Sequence, residues 1–402
     1  MGLNSGKRVL LITSGQPSLN PRLVKEADAL SNAGFSVTVL YAYWNSWGTK
    51  YDDTLLATRK WTAKRIGGSP TRGRFAYAIS SLIFKISKAT GHRALAVSGL
   101  SRASYLLLGA AKKHKADIYI AHNLGALPAV VIAAKKYKKP CGFDAEDFHR
   151  NETTDDPIDG NVIRITSIEN KYLPQINYFT ASSPQIAERY NKLYPGLKPV
   201  IILNVFDTVD SIPHRLGGPL RLFWFSQTIG ANRGLEDAVS ALKILNDPGI
   251  ELHLLGNRSA FAKPFTDGLA AAGVNVVFHD PIPPDDVLKF ATQFDIGLAL
   301  ENRTPLNRDL CLTNKIFTYL QAGLGIVATE TTAQAAFMEE NPAIGSTYAN
   351  KDVDTLMQIL TDYRQYPEKL LACKQASLKL AHEKYNWEKE SKKFLDLVKQ
   401  TL

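Results

Sequence analysis

Two basic residues in the C-terminal half stand where a chain can hold an anion. The stretch NKIFTYLQAGLGIVAT, Asn314–Thr329, reads as a helix with Asn314 as its N-cap and Lys315 in the first turn. Ile316, Phe317, Tyr319 and Leu320 form its apolar stripe, and Gly323 closes it before a strand, Gly325–Thr329. The free N–H groups and the dipole at a helix N-terminus favour negative charge, so an ammonium group beside them suits a phosphate. The plain alternative is a solvated first-turn lysine. The stretch SQTIGANRGLEDAVSAL, from Ser226 to Leu242, is a strand-to-helix turn with Gly230, Gly234 and, at the helix start, Arg233. A guanidinium there can fork onto a diphosphate. Its plain alternative is a surface salt bridge with Glu236 or Asp237. Two cations converging on one crevice favour the phosphate reading over either alternative.

Other candidates are weaker. Asp144 and Glu146 alternate at a strand end beside Asp147 and His149, a set that can hold a metal but more often is polar loop, and no metal is expected. His149 or His122 can act as a general base, or can be a loop histidine bonded to backbone. Ser182-Ser183 lacks a nucleophile elbow, and there is neither G-x-G-x-x-G nor a Walker A sequence. Cys141, Cys311 and Cys373 are odd in number and far apart, which offers no zinc spacing and suits a reducing cytosol.

The elements that must position these residues alternate between strand and helix. With 402 residues, two or three domains are expected. Strand Arg8–Ser14 leads through a loop at Gly15 to a helix capped by Asn20 with Pro21 at its first position, then to strand Phe35–Tyr41. Strands Ile118–Ala121, Cys141–Asp144, Tyr178–Ala181 and Pro199–Leu203 follow, separated by helices. Phe206–Leu220, with two prolines and a glycine pair, reads as a linker. The pattern restarts with strands Arg221–Phe225, Glu251–Leu255, Asn275–Phe278, Ile296–Leu300 and Gly325–Thr329, separated by helices that carry Leu235–Leu245, lie near Phe261–Ala272, span Pro284–Gln293 and start at Asn314. Tyr385–Leu402 is amphipathic and led by Trp387. These patterns predict an α/β protein of two doubly wound, Rossmann-like domains facing a cleft, with ligands at the strand C-terminal ends.

The formal charge of +10 is concentrated. Thr54–Ala116 holds 13 of the 48 basic residues and none of the 38 acidic ones, leaving the rest of the chain slightly acidic. Trp61, Phe75, Tyr77, Leu82, Ile83, Phe84 and Ile86 interleave with those cations. Cations among aromatics and aliphatics suit an anionic membrane surface first. They also suit a solubilising face or loops around an anionic substrate. Nucleic acid is not expected, since no helix-turn-helix, zinc-finger or RNP-like pattern accompanies them. No run of 18 apolar residues is present, so no membrane-spanning helix is expected; no signal peptide is expected from the first residues, and Gly6 rather than Ser or Thr weakens a myristoylation reading at Gly2.

The order FWFSQTIGANRGLEDAVSAL, LHLLGN, LTNKIFTYLQAGLGIVATE resembles retaining glycosyltransferases of the GT-B fold, family 4-like, also called glycosyltransferase group 1. NPRLVKEADALSNAGFSVTVLY, IAHNLGALPA, FDAEDFH, ASSPQIAERY and VIILNVFD extend the resemblance through the N-terminal half. It implies an acceptor-side domain over residues 1–205 and a nucleotide-sugar domain over 206–384. A helix over 385–402 would cross back. It implies metal-independent, retaining transfer of a hexose from a nucleotide-sugar to a glycan or lipid-linked acceptor. The nucleotide-sugar would be a substrate, and no cofactor is expected. The chain would work in the cytoplasm, peripherally at the inner membrane face.

By the resemblance, Arg233 meets the diphosphate, Lys315 lies near the nucleotide and His122 lies near the reacting sugar. Gly15 approaches the phosphates or sugar. Gly256, Asn257 and the His279 region lie near the nucleotide and its base, with Gln227, Asn314 and Thr318 completing the pocket. The chain departs from the family where Gln227 replaces a basic residue. It departs again where Thr318, and Leu310 eight positions earlier, replace two glutamates. These departures keep two rivals open: a non-catalytic GT-B glycan-binding or scaffold protein, and a nucleotide-sugar epimerase.

Overall fold

The computed structural model describes residues 6–90, 95–208, 217–258 and 263–402. Gly2, Arg93, Phe261 and most of the linker reading lie outside the described residues. The chain divides into two compact units, Met1–Leu203 with Ser391–Leu402, and Asn204–Glu390. The final helix, Trp387–Thr401, begins in the second unit, and its part from Ser391 onward belongs to the first.

The first unit is built on seven parallel strands: β1 Arg8–Thr13, β2 Ser36–Ala42, β3 Thr62–Ile66, β4 Ile118–His122, β5 Cys141–Ala145, β6 Tyr178–Ala181 and β7 Val200–Ile201. Their order is β3-β2-β1-β4-β5-β6-β7. The middle strands are mostly apolar and, apart from exposed Arg8 at the start of β1, buried along their length, as a sheet covered on both faces requires. Registry places Thr13 beside His122, and His122 beside Asp144, so three polar residues line up at the C-terminal ends. Asn20 caps the helix Pro21–Asn32 by accepting from Leu23 N–H at 2.9 Å, with Pro21 in the first turn.

The second unit repeats the plan with β8 Leu220–Thr228, β9 Ile250–Asn257, β10 Val276–His279, β11 Ile296–Ala299, β12 Gly325–Thr329 and β13 Gly345–Tyr348. The order is β10-β9-β8-β11-β12-β13, again all parallel. Trp224, Leu222, Leu252, Leu254, Leu298 and Val327 pack in its core. In both units the direction of winding reverses once, between β1 and β4 and between β8 and β11. Open α/β sheets bind ligands at such reversals.

Several expectations need correction. Strands β3 and β13 escape the periodicity reading. β3, TAKRI, is a half-exposed edge strand whose lysine and arginine mask its alternation, as charged edge strands do. Among its described residues the basic segment also contains the helices Arg74–Thr90 and Ser104–Ala111. Asn314 is not the N-cap of its helix. Thr313 holds that position without a side-chain cap, and Asn314 is the first helical residue, its side-chain oxygen accepting from Asn204 Nδ2 at 2.9 Å. Among the described residues no helix is long and apolar enough to cross a membrane.

Candidate functional site

In the second unit, the two predicted cations meet on a residue that the motifs did not single out. Glu301 follows β11 at the β8–β11 reversal. Arg233 donates to it through Nε at 3.1 Å and Nη2 at 2.7 Å, and Lys315 Nζ donates to Oε1 at 2.7 Å. Glu301 and Lys315 are buried, whereas the Arg233 side chain keeps 26 % of its surface exposed. Both cations also lie over the Trp224 ring, at 6.0 Å for Arg233 and 5.4 Å for Lys315. The knot explains why neither plain alternative holds. Lys315 is not solvated, and Arg233 pairs with neither nearby acid. Glu236 instead accepts from Asn232 N–H at 2.7 Å, and Asp237 accepts from Lys351 N–H at 2.9 Å.

Backbone geometry sets this convergence. Gly234 caps the helix Leu235–Leu245 at φ +77°, and a Cβ on it would lie 2.9 Å from Leu300 Cβ. Only glycine lets the β8 loop come down on the end of β11, which delivers Arg233 to Glu301. Glu301 is held in turn by Thr329: its N–H donates to Oγ1 at 2.9 Å, and that hydroxyl donates back to its carbonyl at 2.8 Å. A third cation sits nearby. Arg308 Nη1 donates to the Asn232 carbonyl at 2.7 Å, and burial and Arg233 both lower its pKa.

The electrostatics follow from burial and charge. Burial alone would push the Glu301 carboxyl up, but Lys315 and Arg233 outweigh it and hold it at about 2. Burial, with Arg233 as like-charged neighbour, lowers Lys315 despite Glu301. Two cations face one carboxylate, so the knot carries an excess positive charge beside a partly exposed guanidinium. That arrangement can take a further anion.

The remaining predicted positions of this unit are scattered in character. Gln227 and Asn257 are exposed at the ends of β8 and β9. Gly256 has a packing reason to be glycine, because a Cβ there would lie 2.4 Å from the Ser226 carbonyl oxygen. His279 already has a partner: its Nε2 lies 2.9 Å from His253 Nδ1, and His253 Nε2 lies 3.0 Å from Glu251. Burial and His253 both lower the His279 pKa. Thr318 is buried and donates to the Asn314 carbonyl at 3.1 Å, so its hydroxyl is spent inside its own helix.

In the first unit, His122 ends β4 and is completely buried among charges. Its Nε2 lies 3.1 Å from Glu26, and its Nδ1 lies 3.5 Å from Asp144 and 3.6 Å from Glu146. Burial opposes a charged ring, yet Glu26, Asp144 and Glu146 raise His122 well above its ordinary value. Arg22 forks onto both oxygens of Asp144, at 2.6 and 2.7 Å, and Thr180 donates to Asp144 at 2.5 Å. Glu26, His122 and Asp144 bring ligand atoms close enough for a metal. The donor set does not fit one, because Arg22 takes both oxygens of Asp144 and the cationic ring balances the remaining charge. His149 is likewise an ion-pair partner, 3.3 Å from Glu152 and raised to about 9 against burial.

Gly15 lies in the β1 loop, where its N–H donates to Thr13 Oγ1 at 3.2 Å and its carbonyl accepts from Ala42 N–H at 3.1 Å. Beside it Gln16, fully buried, accepts from Trp44 and Asn45 N–H at 3.0 and 2.8 Å and donates to Asp52 at 2.7 Å. The β1–β4 reversal is closed by Asn123, whose Oδ1 accepts from Ser14 Oγ at 2.6 Å.

Two doubly wound parallel sheets with this strand order make the architecture GT-B. Anabaena HepE, solved with UDP-glucose, superposes with a TM-score of 0.70 at 12 % identity, over 98 % of this chain and 99 % of that one. A variant of TarM from S. aureus, solved with fondaparinux, alpha-GlcNAc-glycerol and UDP, gives 0.70 at 10 % identity, over 97 % and 99 %. Sucrose-phosphate synthase from Thermosynechococcus elongatus gives 0.66 at 12 %, over 98 % of each chain. At these identities the likeness establishes the fold. Residues 233–396 match the family described as glycosyl transferase-like, a span that carries Arg233, Glu301 and Lys315. No curated protein matches the chain by sequence.

Proposed function

We propose that this protein is a glycosyltransferase that moves a hexose from a nucleotide-sugar, held by the second unit, to a glycan or lipid-linked acceptor held by the first. Transfer proceeds with retention and without a metal, in the cytoplasm at the inner membrane face. The observation that carries the reading is the Arg233–Glu301–Lys315 knot at the β8–β11 reversal. The bond to be broken leaves a nucleoside diphosphate, so the chemical need is positive charge fixed in advance where the leaving phosphate becomes more negative. Glu301 fixes both cations without cancelling them. The neighbours HepE and TarM, solved with UDP-glucose and UDP, support a donor of this class.

Titration calorimetry with UDP, GDP and ADP tests it. One diphosphate should bind the wild type and lose most of its affinity with Arg233→Ala. If none binds, or if the variant binds as tightly, the assignment fails. Thr318, turned onto its own helix where the resembled family carries a glutamate, favours a second reading as a non-catalytic GT-B glycan-binding protein. Hydrolysis or transfer of the sugar from the nucleotide-sugar that binds excludes that reading.

A further inference from the structure

The helix Arg74–Thr90 is built with its apolar side outward. Its small residues Ser80 and Ser87 are buried, whereas Phe75 is 80 % exposed, Leu82 58 %, Ile86 45 % and Ile79 44 %. Those four apolar residues recur at i, i+4, i+7 and i+11, which puts them in one narrow stripe. Burying them against the sheet would be the ordinary outcome for such a stripe. Hydrogen bonds on the opposite side prevent it.

Arg102 Nη1 donates to Ser80 Oγ at 2.7 Å and to the Gly67 carbonyl at 2.8 Å, and its guanidinium lies 4.6 Å from the Tyr77 ring centroid. Ser87 Oγ donates to the Leu95 carbonyl at 2.7 Å. Rolling the helix to hide the stripe would break the bonds of Ser80 and Ser87 and the Tyr77 contact, while Arg102 stays anchored on the Gly67 carbonyl. Arg102 is thus an internal bolt, not one of the surface cations. Tyr43 meets Tyr77 edge-on at 5.8 Å, and the residue after it, Trp44, is exposed.

Arg72, Arg74, Lys85 and Lys88 are exposed around the stripe, and the segment from Thr54 to Ala116 contains no acid. We propose that the outward face of helix Arg74–Thr90, led by Phe75, Ile79, Leu82 and Ile86, docks the protein onto an anionic lipid bilayer, lying flat in the headgroup layer with Arg72, Arg74, Lys85 and Lys88 on the lipid phosphates. A second copy of the chain is the poorer occupant, because it would bring the same cations against one another, whereas anionic lipid neutralises them. The helix is neither long nor apolar enough to span, so it lies in the interface.

Flotation of the full-length protein with vesicles of phosphatidylcholine alone, or mixed with phosphatidylglycerol, tests the proposal. The wild type should float with the mixed vesicles and stay behind with the neutral ones. Phe75→Ser with Leu82→Ser, and separately Lys85→Gln with Lys88→Gln, should each lower partitioning by about tenfold. All four positions are exposed, so both variants should keep the wild-type melting temperature and diphosphate binding, which is read in the other unit. Failure of the donor reading would therefore leave this result untouched. Equal flotation with neutral vesicles overturns the proposal, as does wild-type flotation by either double variant. So does a wild-type dimer in light scattering that the Phe75→Ser, Leu82→Ser variant converts to monomer.

Discussion

Lys315 meets Glu301 at 2.7 Å inside the second unit, and the same carboxylate receives the Arg233 fork. One buried acid thus serves as the counter-ion of two cations that the sequence offers as independent phosphate binders. Removing it leaves two like charges side by side with no partner. The folded-state pKa of Glu301 lies at about 2, below its ordinary 4.5, so its contribution is present above pH 4.5 and is lost as pH falls toward 2. That difference corresponds to about 3 kcal/mol. In urea unfolding, Glu301→Gln should be less stable than wild type by about that amount at neutral pH. The gap should close on acidification over the same window. A gap that is independent of pH would show that the carboxylate charge is not what stabilises the knot.

Arg233→Lys keeps a charge and discards the fork. A lysine offers a point charge where the planar guanidinium makes two parallel bonds. Diphosphate affinity should fall roughly tenfold, about 1.4 kcal/mol, with a smaller change in melting temperature than Glu301→Gln produces. Calorimetry and thermal unfolding on the same samples separate the two effects. Unchanged affinity would place the diphosphate elsewhere.

Gly234→Ala strikes the backbone that aims Arg233. It combines a positive φ with a contact of 2.9 Å against Leu300, and should cost about 2 kcal/mol of stability. Diphosphate binding should weaken as well, because the β8 loop must lift away from β11. Thermal unfolding at wild-type level would mean that the loop relaxes without strain.

His122 should remain an imidazolium at neutral pH. Its pKa is raised well above 6.5 by Glu26, Asp144 and Glu146, so its stabilising contribution is full below 6.5 and disappears only as pH rises through the higher folded value. Ring resonances followed by NMR should show no titration near 6.5. A midpoint at that value would mean that the three carboxylates do not hold the proton, and would reopen a role for His122 as a neutral general base.

Much of the fold is legible in the residues. Apolar runs such as RVLLIT and GIVAT, separated by helical spacing, specify parallel strands buried on both faces, and Asn20-Pro21 specifies a helix start. β3 is not legible, since an edge strand carrying Lys64 and Arg65 lacks the apolar signal on which the period depends. The cation pair Arg233 and Lys315 is visible as helix-terminal positions. Glu301 is visible only as a polar residue directly after an apolar strand, LALEN, a signal too common to assign a role.

The sequence by itself determined the alternation of strands and helices, the placement of Arg233 and Lys315 beside helix N-termini, and the concentration of the net positive charge in one acid-free segment. These are local properties, set by spacing and composition. The tertiary structure decided which charges meet. Glu301 joins residues 68 and 14 positions away because β11 lies beside β8 in the sheet. Glu26, His122 and Asp144 meet for the same kind of reason, as the ends of neighbouring strands and the helix above them. It decided too that the stripe of Phe75, Ile79, Leu82 and Ile86 faces outward, since the hydrogen bonds of Arg102 and Ser87 fix the other face of that helix to the domain. Sheet order and burial are long-range facts, and no local pattern encodes them.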